Sequence, residues 1–253
     1  KTSTSVNTAL NPADLRDYLQ KELGQFPLFQ FWGPGANISS SKWIANSSKL
    51  TDEKYDPTLT MIYLPHLDYC LQKFGQDFSS IATELNEIDA VVEDLVHFYS
   101  KKGARVILLS EYGITNVNQP LHLNRILRQH CLLGIRIERG LELLDAGASK
   151  AFAVADHQVA HVYINDPSVT NKVRKILEEV PGVELVLDRK DQNACHIDHE
   201  RAGDLVAVAN ENSWFTYYFW MDDKLAPDYA RAVDIHKKPG YDPVEMFMTS
   251  KMR

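Results

Sequence analysis

The sequence is poor in the features that most readily declare a function. Cysteine is scarce: Cys70, Cys131 and Cys195 are odd in number, far apart and never in a CxxC pair. That excludes a zinc ribbon, argues against a disulfide framework, and leaves free or buried thiols. Positive charge is in deficit, with 27 Lys and Arg against 34 Asp and Glu and a formal net charge of -7. The doublets Lys101-Lys102 and Lys237-Lys238 are too short for an electrostatic footprint on nucleic acid. No apolar run reaches the roughly 18 residues that a membrane-spanning helix needs. The first residues, KTSTSVNTALNPADL, have no apolar core of a secretory signal. Phosphate cradles of the GxxxxGK[ST] type, nucleophile elbows of the GxSxG type and fixed-period repeats are also missing.

What is present is ordinary globular material. The 253 residues are 44% hydrophobic and 24% charged, with 12 Gly and 11 Pro, which excludes disordered and collagen-like classes. The length suits one large domain, or a core carrying a smaller inserted subdomain. The opening segment is rich in Ser and Thr and free of acids up to Asp14, similar to the end of a transit peptide. The expected setting is soluble, in a plastid or a bacterial cytoplasm.

Hydrophobic spacing organises the chain. Asn11-Pro12-Ala13-Asp14 predicts a helix start, with Leu15, Leu19 and Leu23 on one face and Gly24 as its stop. FPLFQFWGPGAN reads as an irregular loop, and Ser41 as the cap of a short helix carrying Trp43, Ile44 and Leu50. Thr58 to Leu64 and Val106 to Leu109 are short apolar runs. Both are expected to be strands buried in a parallel sheet, adjacent to each other, with a helix over 77–101 packed across one face. A further helix is expected over about 122–132. This order predicts an α/β fold, mostly parallel, with helices on both faces. From about 151 to 212 the pattern changes to strand, helix, strand, strand, a small α+β subdomain.

Two carboxylates stand just past the expected strands, Asp68 in LPHLDYCLQ and Glu111 in SEYG. Ligands in doubly wound folds gather at such strand ends. Carboxylates that converge there need a cation or a proton between them; separately, each would cap a helix N-terminus. His157 and His161 stand four apart, but their Val-rich flanks predict a strand, where that spacing is about 13 Å and unsuited to a joint metal site. His196 and His199 read as surface groups. His236 lies in DIHKKPGYD, an irregular segment of the kind that presents residues to sites.

The blocks YLPHLDYCLQKFG, VILLSEYGITNVNQPLHLNRILRQH, AFAVADHQVAHVY and ARAVDIHKKPGYDPVEMF resemble the alkaline-phosphatase superfamily. Within it they resemble the nucleotide pyrophosphatase/phosphodiesterase-like proteins of bacteria and plastid-bearing eukaryotes. The resemblance implies an alkaline-phosphatase-like core of which residues 1–253 form the C-terminal part. It also implies that the nucleophile lies on a companion polypeptide carrying the N-terminal part. Enzymes of that family hold two metals, usually zinc. Their D-x-x-x-H motif falls on Asp68 to Gln72, their S-D-H-G motif on Ser110 to Gly113, and a later His on His236. The implied metal ligands are therefore Asp68, Glu111 and His236, with Gln72, Tyr112 and His66 lining the site.

Gln72 and Tyr112 stand where the family has imidazoles, so of the divalent ions that the resemblance implies, Zn²⁺, Mg²⁺ or Mn²⁺, the altered set would suit Mg²⁺, Mn²⁺ or Ca²⁺ better than zinc, or no metal at all. Two functions follow from the resemblance. One is a metal-dependent phosphodiesterase or pyrophosphatase acting on a small phosphate ester. The other is a catalytically weakened homologue that serves as a binding or assembly subunit.

Overall fold

Leucines one helical turn apart build the first element. α1 (Asp14–Leu23) buries Leu15 and Leu19 and ends at Gly24, whose φ of 75° suits glycine. The computed structural model describes residues 14–31, 35–110, 112–228 and 230. They divide into two compact units, one ending at Ile114 and the other starting at Thr115. Asn11 to Ala13, Trp32 to Pro34, Glu111, and the 231–253 segment with His236, Lys237 and Lys238 lie outside the described residues. Among the described residues, no helix is long and apolar enough to cross a membrane.

The first unit is helical. α2 (Ile38–Tyr55) is longer than the short helix expected, because Asn37 rather than Ser41 caps it, accepting from Ser39 N at 3.0 Å. Trp43 packs with Leu15, Leu19 and Phe26 and donates its indole N–H to Gly24 O at 3.1 Å. Ile38 and Ala45 pack instead against α4 (Ala82–Lys101), through Val91, Leu95 and Tyr99. Between them lies α3 (His66–Phe74). Gly103, at φ 77°, ends the α4 segment as expected.

The two buried strands expected in this unit are not there. Residues 58–64 and 106–109 form no strand among the described residues, and Leu59, Met61, Ile107, Leu108 and Leu109 are exposed. An apolar run becomes a strand only where a neighbouring backbone takes up its hydrogen bonds, and among the described residues none does so for 58–62 or 106–109.

The second unit holds the sheets. β1 (Gln119–Leu121) pairs in parallel with β8 (Ser213–Phe215), and β2 (Gly134–Glu138) forms a hairpin with β3 (Leu141–Asp145). The largest sheet has the order β4 (Ala151–Asp156), β5 (Val159–Ile164), β7 (Leu205–Ala209), β6 (Val183–Leu187), and every pairing in it is antiparallel. Of the mostly parallel sheet expected from the sequence, the described residues show parallel pairing at β1–β8 alone. The cause is local: His157, at φ 52°, turns β4 straight back into β5, and a tight turn makes an antiparallel pair. His157 is therefore at a turn while His161 is on a strand, accepting from Gly203 N at 3.1 Å.

α6 (Thr170–Glu178) buries Val173, Ile176 and Leu177 in the core formed with this sheet. α5 (Leu123–Gln129) docks through buried Asn124, whose amide donates to Ala153 O at 2.8 Å and accepts from Ala153 N at 2.7 Å. From the same helix, Arg128 grips the buried Glu142 of β3 with two bonds, at 2.5 and 2.9 Å.

Candidate functional site

α3 starts directly after Pro65, so its first turn carries His66, Leu67 and Asp68. A carboxylate suits that position, where unpaired N–H groups and the helix dipole favour negative charge. Gln72 is one turn on and shares the face of Asp68. Its amide Nε2 donates to Asp68 Oδ2 at 3.0 Å. The other oxygen, Oδ1, accepts the hydroxyl of Tyr112 at 2.9 Å. Tyr112 is held from the loop side, where Ser110 Oγ donates to its carbonyl at 2.6 Å.

Three of the residues expected at the site, Asp68, Gln72 and Tyr112, thus meet around one carboxylate. Glu111 and His236 lie outside the described residues. His66 faces elsewhere: its Nε2 is 3.1 Å from Glu87 Oε2 on α4. Burial lowers the His66 pKa, and the charge of Glu87 opposes that shift. Glu87 carries no motif, and nothing in its sequence position announces this contact. Cys70, on the buried side of α3, donates its Sγ hydrogen to Leu67 O at 3.1 Å. Burial pushes its thiol up to about 11, so it is neither a thiolate nor a ready metal ligand near neutral pH.

The chemistry of this donor set does not fit the zinc pair implied by the family resemblance. Zinc ligands present lone pairs, yet Gln72 and Tyr112 present hydrogens, and both aim them at Asp68. Two neutral donors meet at this carboxylate. Among the described residues, no group of three His, Cys, Asp or Glu side chains is placed to hold a metal.

The second unit has a concavity of its own, of about 440 Å³, lined by His122, Arg125, Leu121 and Pro181 among others. His122 Nδ1 lies 2.7 Å from Thr216 Oγ1, and burial followed by the charge of Arg125 lowers its pKa. Arg125 donates Nε to Trp220 O at 2.6 Å and stacks over Tyr218 at 4.6 Å. Its fork is thereby largely engaged within the protein, and no residue expected from the sequence lines this cleft.

Comparison with known proteins places these features. A family model described as type I phosphodiesterase / nucleotide pyrophosphatase matches residues 2–242. Phosphonoacetate hydrolase from Sinorhizobium meliloti, solved with phosphonoacetate, superposes with a TM-score of 0.56 at 15% identity, covering 79% of this chain and 46% of that one. The same hydrolase with phosphonoformate gives 0.55 at 16% identity, covering 82% and 48%. Murine ectonucleotide pyrophosphatase/phosphodiesterase 5, solved with AMP, gives 0.48 at 16% identity over 70% and 45%, too loose a match to carry weight. No curated protein sequence matches the chain significantly. The likeness to the hydrolase, an alkaline-phosphatase superfamily member, is one of fold, mixed α/β. The chain spans just under half the length of these solved structures.

Proposed function

Because the chain belongs to the type I phosphodiesterase / nucleotide pyrophosphatase family, we propose that it forms part of a domain that hydrolyses phosphoric esters. The observation that carries this reading is the family match itself, which runs over 2–242 and takes in both motif segments. The meeting of those segments at Asp68 supports it, since residues 44 positions apart come together where the family motifs lie. The substrate class is a small phosphate ester. The attacking nucleophile and the remaining ligands come from the part of the domain that has no counterpart in residues 1–253. Asp68, Glu111 and His236 are the contribution of these residues, and any cation they share with the rest of the domain is a hard, oxygen-seeking one rather than zinc.

A second reading has its own observation. Asp68 already accepts two hydrogen bonds, and a carboxylate so engaged repels phosphate oxygens unless a cation intervenes. On that reading the chain is a catalytically weakened homologue that binds or assembles. Metal analysis of the completed domain, paired with turnover of bis(p-nitrophenyl) phosphate, separates the two. Metal held by the parent, with both metal and hydrolysis lost in Asp68→Ala, supports the first reading. A completed domain that binds a phosphate ester without turnover or metal supports the second and removes the first.

A further inference from the structure

The cleft of the second unit is a built feature, with its walls tied to one another. Gln119 on β1 donates its amide Nε2 to Pro181 O at 3.0 Å, which joins the strand to the segment after α6. α5 supplies Arg125, Ile126 and Gln129, while Leu121, Val180, Pro181 and Met221 make most of the remaining lining apolar. Clefts of roughly 300–1,000 Å³ take up small organic molecules, and this one is about 440 Å³. None of its lining residues is acidic, in a chain whose net charge is -7. Arg125 is the single charged group on the wall.

Two donors in this cleft are held in place by the protein. Tyr218 N donates to Thr216 Oγ1 at 3.4 Å, and the Thr216 hydroxyl has its own hydrogen to give to His122 Nδ1, 2.7 Å away. With Nδ1 accepting, the neutral ring carries its hydrogen on Nε2. Burial and the charge of Arg125 favour that neutral form. Among the described residues, no group takes up the Nε2 hydrogen. Arg125 spends Nε on Trp220 O, and among the described residues its Nη1 has no hydrogen-bond partner. Asp223 Oδ1 is 3.6 Å from Nη2, but it accepts the Trp220 indole N–H at 3.0 Å and its side chain is 89% exposed, so solvent screens the pair. Both donors rest against one ring: Tyr218 lies 4.9 Å from the imidazole and 4.6 Å from the guanidinium.

We propose that this cleft binds a small monocarboxylic acid, whose carboxylate accepts from His122 Nε2 and Arg125 Nη1 and whose aliphatic or aromatic body lies on Leu121, Ile126, Val180 and Pro181. The charge count selects the ligand. One guanidinium and one neutral imidazole balance a single negative charge, and charge-assisted bonds from arginine suit a carboxylate. A phosphate dianion brings a second charge for which the wall has no cation. A neutral ligand leaves the guanidinium without a counter-charge where water is displaced. The site lies wholly in the second unit, whereas Asp68 is in the first, and it does not rest on the hydrolase reading.

The test titrates the 253-residue chain, carrying isotope-labelled histidine, with 3-phenylpropionate and follows the ring resonances by NMR. The expected result is saturable one-to-one binding with a dissociation constant of about 1 mM or lower, in which the His122 resonances move and those of His66 do not. 3-Phenylpropanol, with the same body and no charge, should bind about tenfold more weakly or worse. 3-Phenylpropyl phosphate should bind no more tightly than the carboxylate. Gln129 is exposed, so its replacement leaves the fold intact, as circular dichroism checks. Gln129→Glu sets a carboxylate on the wall and should weaken binding about threefold or more, and Gln129→Lys should strengthen it. Lys190→Gln, on the exposed side of a helix away from the cleft lining, changes net charge as Gln129→Glu does and should leave binding unchanged. The proposal is overturned by saturation without movement of His122, by the alcohol binding as tightly as the acid, or by the phosphate ester binding more tightly. It is equally overturned if the two Gln129 variants behave alike, or if no carboxylate binding is seen at 10-fold the expected constant, about 10 mM.

Discussion

Tyr112 donates its phenolic hydrogen to Asp68 at 2.9 Å, while Gln72 donates to the same carboxylate at 3.0 Å. In the positions where the resemblance leads one to expect two imidazoles, the protein has two hydrogen-bond donors instead. The carboxylate has kept its place and changed its company.

Restoring the imidazoles tests that exchange. Gln72→His combined with Tyr112→His puts nitrogen lone pairs beside Asp68, the kind of donor that zinc prefers. The double variant is expected to retain zinc through dialysis where the parent does not, as read by elemental analysis. Tyr112→Phe alone removes one bond to a charged group at a half-exposed position. It should cost about 1 kcal/mol at most in denaturant unfolding.

The buried imidazole of His66 gives a prediction with a definite sign. Its pKa is lowered from the ordinary 6.5, by burial first and against the pull of Glu87. Proton NMR should place its midpoint below 6.5, and Glu87→Gln should move it lower still, because Glu87 favours the charged form. The unfolded chain then binds the proton more readily than the folded one. Stability from this group is therefore full above pH 6.5 and is lost as pH falls through the folded value. A midpoint that rises in Glu87→Gln contradicts the contact.

Thiol reactivity should split the three cysteines. Cys70 is buried and its thiol is pushed up to about 11, whereas Cys131 and Cys195 are exposed. Brief iodoacetamide treatment at pH 8, followed by peptide mass mapping, should label Cys131 and Cys195 and spare Cys70. Equal labelling of all three would contradict the placement of α3.

The Arg128–Glu142 pair is the clearest buried charge contact in the second unit, with Glu142 only 5% exposed at its side chain. Arg128→Met leaves that carboxylate alone and should cost about 3 kcal/mol in urea unfolding. The pair replacement Arg128→Met with Glu142→Leu should recover most of the loss, since desolvation offsets much of what the ion pair contributes.

Much of the fold was legible where periodicity was strong. The leucines of α1, the long α4, and the strands β6 and β7 all lie where spacing predicts them. Apolar runs were less informative. The composition of 58–64 and 106–109 says that they belong inside something, but an apolar run does not say who pairs with it. β1 and β8 are three residues each, and one contains Pro120, so neither leaves a pattern. The β2–β3 hairpin did leave one: Arg139-Gly140, both at positive φ, sits between alternating IRIE and LELL, a turn signal that was there to be read. At the site, the resemblance brought Asp68, Gln72 and Tyr112 onto one list. Only the structure turned that list into two hydrogen bonds. His66 was expected among them and is instead tied to Glu87, a partner with no motif to mark it.

Asn124 has a consequence for how the second unit behaves among its neighbours in solution. Ala153 sits on β4, the outer strand of its sheet, and its N–H and C=O are both taken by one asparagine side chain. The carboxamide answers the two backbone groups of Ala153 as another strand would, but it cannot be extended. Growth of the sheet across this border stops at Ala153, so intermolecular stacking, the first step toward fibrils, has no continuous template there. Asn124→Ala would leave the protein folded around a bare peptide group, and its penalty should appear as concentration-dependent aggregation sooner than as lost ligand binding.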